Sequence, residues 1–127
     1  MSFTTLLENE LLDHVFRNAA YTPPSTVYVG LYTSATTGSG GGTEVTGGGY
    51  TRQAMAFDAA TSSAIDNTSA VEFATATANW GTVTHTAILD AATGGNMLAE
   101  TSLTASKVIS TGDVFRFQAG EFGIALS

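Results

Sequence analysis

Apolar residues recur with a helical period in only one part of the chain. Phe3, Leu7, Leu11 and Val15 stand four residues apart, Leu6, Leu12 and Phe16 widen the stripe, and Glu8, Glu10, Asp13 and Arg17 fill other positions. This pattern predicts a helix over about residues 3–17. Thr5 and Glu8 have capping-box spacing, and the acids precede Arg17 as the helix dipole prefers. Pro23-Pro24 cannot continue a helix and imposes extended backbone. The stripe of Phe3, Leu7, Leu11 and Val15 must be covered, by the rest of the domain or by a neighbouring subunit, because a bare apolar row invites aggregation.

Beyond Thr26 the pattern changes to β. Thr26-Val27-Tyr28-Val29-Gly30-Leu31-Tyr32-Thr33 carries β-branched or aromatic residues on both faces, which predicts a central strand covered on both sides, with the helix on one of them. Residues 34–49 hold seven of the 14 glycines and predict a long, projecting, flexible surface loop. Extended structure resumes over 50–57, and Asp66-Asn67 marks a turn before 70–73. Residues 82–89 alternate, and the turn-rich stretch 90–95 leads into 96–100 as a hairpin. A second hairpin is predicted from 107–110, the turn 111–113 and 114–117, with a last strand over 122–126. Seven or eight short strands at intervals of about ten residues predict an antiparallel β-sandwich, jelly-roll-like in outline, over about 26–127. Residues 1–127 are the size of one domain, and no internal repeat is evident.

Composition narrows the function classes. Four Lys+Arg against 11 Asp+Glu give a net charge of -7, the wrong sign for tracking phosphates, so no nucleic-acid partner is expected. Only 12% of residues are charged, against roughly 25% in an ordinary soluble domain. Thr, Ser, Ala and Gly cover the surface instead, and such a surface gives up water cheaply at a permanent protein contact. No cysteine is present, so disulfides and thiolate chemistry drop out. The first residues lack a basic n-region and read as no signal peptide, and no apolar run approaches the roughly 18 residues of a membrane span, so no membrane partner is expected.

Candidate chemistry is sparse. His14 and His85 have no acidic partner at ligand spacing, and no metal site is expected from them. Gly38-Ser39-Gly40-Gly41-Gly42-Thr43 lacks the Lys and the following helix of a phosphate loop, so no nucleotide cofactor is implied. Asp58, Asp66, Asp90 and Asp113 sit at predicted turns, where Asp caps backbone amides, and their spacing does not reproduce a calcium loop. No nucleophile elbow surrounds Ser34, Ser39, Ser62 or Ser63, and nothing singles out a carboxylate pair for glycoside cleavage. Trp80 reads as a core residue, with a sugar-stacking platform as the sharper alternative. No catalytic residue, cofactor or metal ligand is expected.

Several blocks together carry a family resemblance: 6–16 (LLENELLDHVF), 27–33 (VYVGLYT), 47–53 (GGGYTRQ), 78–85 (ANWGTVTH), 90–98 (DAATGGNML) and 112–117 (GDVFRF). In these blocks and their order, the chain resembles small virion proteins of tailed bacteriophages, labelled either tail-fibre proteins or head decoration (cement) proteins. The resemblance implies a virion structural protein that acts by binding. Its leading form is a decoration protein on the capsid exterior, assembled in the host cytoplasm and bridging major capsid protein subunits. A homotrimer is the arrangement such a protein favours. The alternative is a tail-fibre or tail-tip component with a receptor- or glycan-binding face. Interface residues are expected on the helix (Leu7, Leu11, His14, Val15) and around the glycine-rich loop (Glu44, Val45, Tyr50).

Overall fold

β-Branched and aromatic residues dominate the segments that become strands, and short Gly, Asn and Asp turns separate them. A computed structural model describes residues 1–126, so Ser127 of the expected domain lies outside the described residues. The elements in chain order are β1 (Ser2–Phe3), α1 (Thr5–Phe16), β2 (Val27–Tyr32), β3 (Gln53–Met55), β4 (Ala64–Asp66), β5 (Val71–Glu72), β6 (Gly81–Leu89), β7 (Met97–Ile109), β8 (Arg116–Phe117) and β9 (Gly123–Ala125). The fold is mainly β with one amino-terminal helix, as expected. A five-stranded antiparallel sheet runs β1-β7-β6-β2-β3, and two small sheets pair β4 with β9 and β5 with β8.

The core lies between the large sheet and the layer that carries β5 and β8. Val29 and Leu31 of β2, Val83 and Ile88 of β6, and Ala99 and Ile109 of β7 meet Phe73, Trp80, Phe115, Phe117 and Phe122 there. An aromatic chain runs through it: Trp80 to Tyr50 (ring centroids 5.4 Å), Tyr50 to Phe73 (6.0 Å), Phe73 to Phe115 (5.8 Å), Phe115 to Phe117 (5.1 Å) and Phe117 to Phe122 (5.1 Å). Such pairs contribute roughly 0.5–1.5 kcal/mol each beyond their burial. Trp80 is 6% exposed and donates its indole N–H to the Gly48 carbonyl at 2.9 Å. It is a core residue, and the sugar-stacking alternative falls. Gly48 has φ +60, and a Cβ there would stand 2.9 Å from the Trp80 indole nitrogen, so this contact requires glycine.

The first expected hairpin forms as β6–β7, its turn closed by the Asp90 amide donating to the Asn96 carbonyl at 3.1 Å and by the Asn96 amide donating to Asp90 Oδ1 at 2.7 Å. The second expected hairpin does not form. Its turn exists, with Asp113 accepting from the Ser110 amide, but 107–109 complete β7 while Arg116 and Phe117 pair with Glu72 and Val71. Phe115 and Phe117 are buried, and that demand sends the segment across the core to β5. Between Val83↔Lys107 and His85↔Ser102, Thr84 alone faces four β7 residues, 103–106. This bulge interrupts the part of β7 that β1 leaves uncovered, which blunts an open sheet edge.

The helix starts later than its stripe predicts. Thr4 is the N-cap: its hydroxyl accepts from the Leu7 amide and donates to the Met97 carbonyl at 2.7 Å. Thr4 itself is buried, and its amide donates to Leu98, which draws Ser2 and Phe3 into β1 against β7. Thr5 and Glu8 therefore do not form the capping box.

Candidate functional site

Strand β3 pairs with β2 only from Val27 to Val29, which leaves the edge of β2 open from Leu31 onward. The glycine-rich segment fills that gap. The Val45 amide donates to the Leu31 carbonyl (3.0 Å), the Thr33 amide donates to the Thr43 carbonyl (2.8 Å), and Tyr32 bridges to Glu44. Thr43-Glu44-Val45 thus behaves as a short strand inside a glycine tract. Val45 is buried in the core, and Thr36 is buried with its hydroxyl donating to Glu100 at 2.6 Å. The segment lies down on the sheet instead of projecting, and Val45 is removed from the surface that a docking partner could reach.

Glu44 and Tyr50 come together, joined by a residue the sequence did not single out. Arg52 donates from Nε to Glu44 Oε2 and from Nη2 to Oε1, both at 2.8 Å, a bidentate pair. Its Nη1 donates to the carbonyls of Ala91 and Gly94 at 2.8 Å. The Tyr50 hydroxyl donates to Glu44 Oε2 at 2.6 Å and accepts the Leu31 amide at 3.0 Å. Gly30 makes room for this network: a Cβ there would stand 3.1 Å from both Glu44 Oε2 and Leu89 Cδ1. Tyr50 and Arg52 lie two apart in extended chain and so share a face, a signal that pairs Glu44 with its nearest cation.

Burial pushes the Glu44 carboxyl up, but hydrogen bonds from Arg52 and Tyr50 and the Arg52 charge outweigh it and hold it below the ordinary range. Burial and the bond to Glu44 push the Tyr50 phenol far up. The Arg52 guanidinium is raised chiefly by its bonds to Glu44. Burial, then the Glu44 charge, raises the Tyr32 phenol, with Arg52 opposing. Tyr32, Glu44 and Arg52 line a cleft of about 630 Å³, together with Leu6 of α1, Leu89 and Met97. The cleft opens between the first turn of α1, the glycine-rich segment and the 90–96 turn.

The helix presents a second surface. Leu7 and Leu11 are half-buried where α1 rests on β1 and β7, but no residue of α1 is fully buried. His14 is exposed, its Nδ1 2.9 Å from the Ala19 carbonyl. Leu12, Val15 and Phe16, at i, i+3 and i+4, are 55%, 65% and 79% exposed. The β domain therefore does not cover the carboxyl-terminal half of the stripe, including Val15. The helix makes its sheet contacts with β1 and β7, and its last turn, with Val15 and Phe16, stays in solvent.

No group of three or more His, Cys, Asp or Glu gathers at metal-binding distance among the described residues. A charge-poor β domain with a tightly tied loop end and a bare apolar helix face has the build of an assembly component. Residues 2–125 match the family of podophage GP4 fiber I protein gp80. The chain belongs to that family and is a fibre-related structural protein of a phage virion. No curated protein matches the sequence.

Proposed function

We propose that this chain is a component of the fibre apparatus of a tailed-phage virion, held through the uncovered face of α1 and acting by binding alone. The supporting observation is the exposure of Leu12, Val15 and Phe16 on one helical stripe, in a chain whose family carries the fibre description. Water leaving that stripe supplies the attachment energy, at about 25 cal/mol per Å² of apolar surface covered. Many such contacts, repeated by symmetry, hold each copy more firmly than any one contact does. A three-fold arrangement of copies suits this attachment. The test is copy number per purified particle, counted by mass spectrometry against the major capsid protein: tens of copies fit a fibre.

One observation favours a second reading, decoration of the capsid exterior as a bridge between major capsid protein subunits. The surface carries few charges, with four Lys+Arg and 11 Asp+Glu in the whole chain, and so dehydrates cheaply over a broad contact. Hundreds of copies per particle select this reading over the fibre.

A further inference from the structure

We propose that the uncovered face of α1 docks into an apolar groove on a second copy of this chain, between the open part of β7 and the 114–123 segment. The inference rests on the attachment role proposed for α1 and names its partner.

The groove encloses about 590 Å³. One wall is β7 beyond Glu100, where β1 no longer covers it, and Leu103 is half-buried there. The other wall is the crossing to β8, with Val114 44% exposed at the rim. Phe115, Phe117 and Phe122 are buried beneath, so the floor is the domain's own core. An opening onto core side chains suits apolar anchors that bring few polar atoms with them. Among the described residues that line it, none belongs to α1, so the chain's own helix does not fill it.

Shape and charge both point to α1 of another copy. Leu12, Val15 and Phe16 have the i, i+3, i+4 spacing by which an amphipathic helix enters an apolar groove. Glu8 stands four residues before Leu12 and so shares that stripe. The helix carries Glu8, Glu10 and Asp13 and no Lys or Arg. The groove carries Lys107 and Arg116, two of the chain's four cations. Arg17 and Arg52 are tied to Asp13 and Glu44, whereas Lys107 forms no ion pair among the described residues and Arg116 only a long one, 3.9 Å, to Glu72. Glu121, the one acid among the described residues that line the groove, accepts the Gln118 amide at 2.9 Å. In a chain of net charge -7, whose copies otherwise repel, this local excess of positive charge draws an acidic helix.

Helix face and groove are separate patches, so each copy offers one of each. The contact therefore runs head to tail, and it closes as a ring or extends along a fibre.

The test is sedimentation of the purified full chain and of variants altered at Val15, Phe16, Lys107 and Val114, all exposed. At about 100 µM the unaltered chain should sediment above the mass of one copy, as a contact with a Kd of about 10 µM requires. Val15→Ser with Phe16→Ser removes the anchors, and Lys107→Glu with Val114→Asp closes the groove to an acidic helix. Each of these two variants alone should sediment as a single copy, with Tm changed by little. Mixed in equal amounts, the intact helix of the groove variant should enter the intact groove of the helix variant, giving a pair and nothing larger. Lys107→Glu by itself should weaken the contact about tenfold. The proposal is overturned if the unaltered chain stays a single copy, if the groove variants assemble as tightly as the unaltered chain, or if the mixture stays as single copies. Should the groove variant enter particles while the helix variant does not, the helix face meets a different virion protein: the partner named here falls and the attachment role stands.

Discussion

Replacing Arg52 with alanine removes the clasp that ties the glycine-rich segment to β2 and to the β6–β7 turn. The Arg52 side chain is 9% exposed and donates four hydrogen bonds, two of them to a carboxylate. Breaking a buried ion pair by deleting one partner costs about 3–5 kcal/mol, because the remaining charge stays desolvated. Glu44 reaches water in part and keeps its bond from Tyr50, which favours the lower end of that range. Losing the donors to Ala91 and Gly94 adds about 0.5–1.5 kcal/mol each. The expected loss is therefore about 4–6 kcal/mol, or a fall in Tm of roughly 15–25 °C for a chain of this size. Urea unfolding followed by the fluorescence of Trp80, the chain's single Trp and packed against Tyr50, measures it directly. A loss below about 1 kcal/mol would contradict this expectation, since Glu44 would then regain water and the glycine-rich segment would stay docked without Arg52.

Other outcomes follow from the same contacts. Because the Glu44 carboxyl is lowered on folding, its contribution is complete above the unfolded value near 4.3 and fades as pH falls through the lower folded value; acid titration of stability should show this, and Glu44→Gln should flatten the curve. The Tyr50 phenol is raised, so its contribution is complete below about pH 10 and is lost as pH climbs past that point; Tyr50→Phe should remove this alkaline loss in the same titration. Gly30→Ala should cost about 1–3 kcal/mol in urea unfolding by pressing on Glu44 and Leu89. Val15→Ser with Phe16→Ser should change Tm by little, since neither side chain is buried, and should abolish incorporation into particles.

The elements that local pattern dictates were legible in the sequence. The two-faced apolar run at 27–32 became strand β2, with Tyr32 and Leu89 clustering on the face opposite Val29 and Leu31, but the helix expected to cover one of those faces rests instead on β1 and β7. The turn at 90–95 closed the β6–β7 hairpin. Long-range pairing was not legible: nothing local to Val114–Phe117 distinguishes a hairpin back to 107–110 from a crossing to β5, and the choice follows from where Phe115 and Phe117 find a core. At the site, Glu44 and Tyr50 stood out as the distinctive residues beside a glycine tract. Arg52 did not, because its role depends on the glycine-rich segment lying flat, and Thr43-Glu44-Val45 was the understated β signal for that. The helix stripe was legible as apolar, but whether the domain itself covers Val15 depends on where β1 anchors the helix start.

The bare face of α1, with Leu12, Val15 and Phe16, is proposed as an attachment surface in a fibre. An averaged electron cryomicroscopy map of the intact particle tests it most directly. The map should place this domain at the fibre positions, with Leu12, Val15 and Phe16 against neighbouring protein. A map in which the domain is absent from the fibres, or in which those three side chains face open solvent, would contradict the claim.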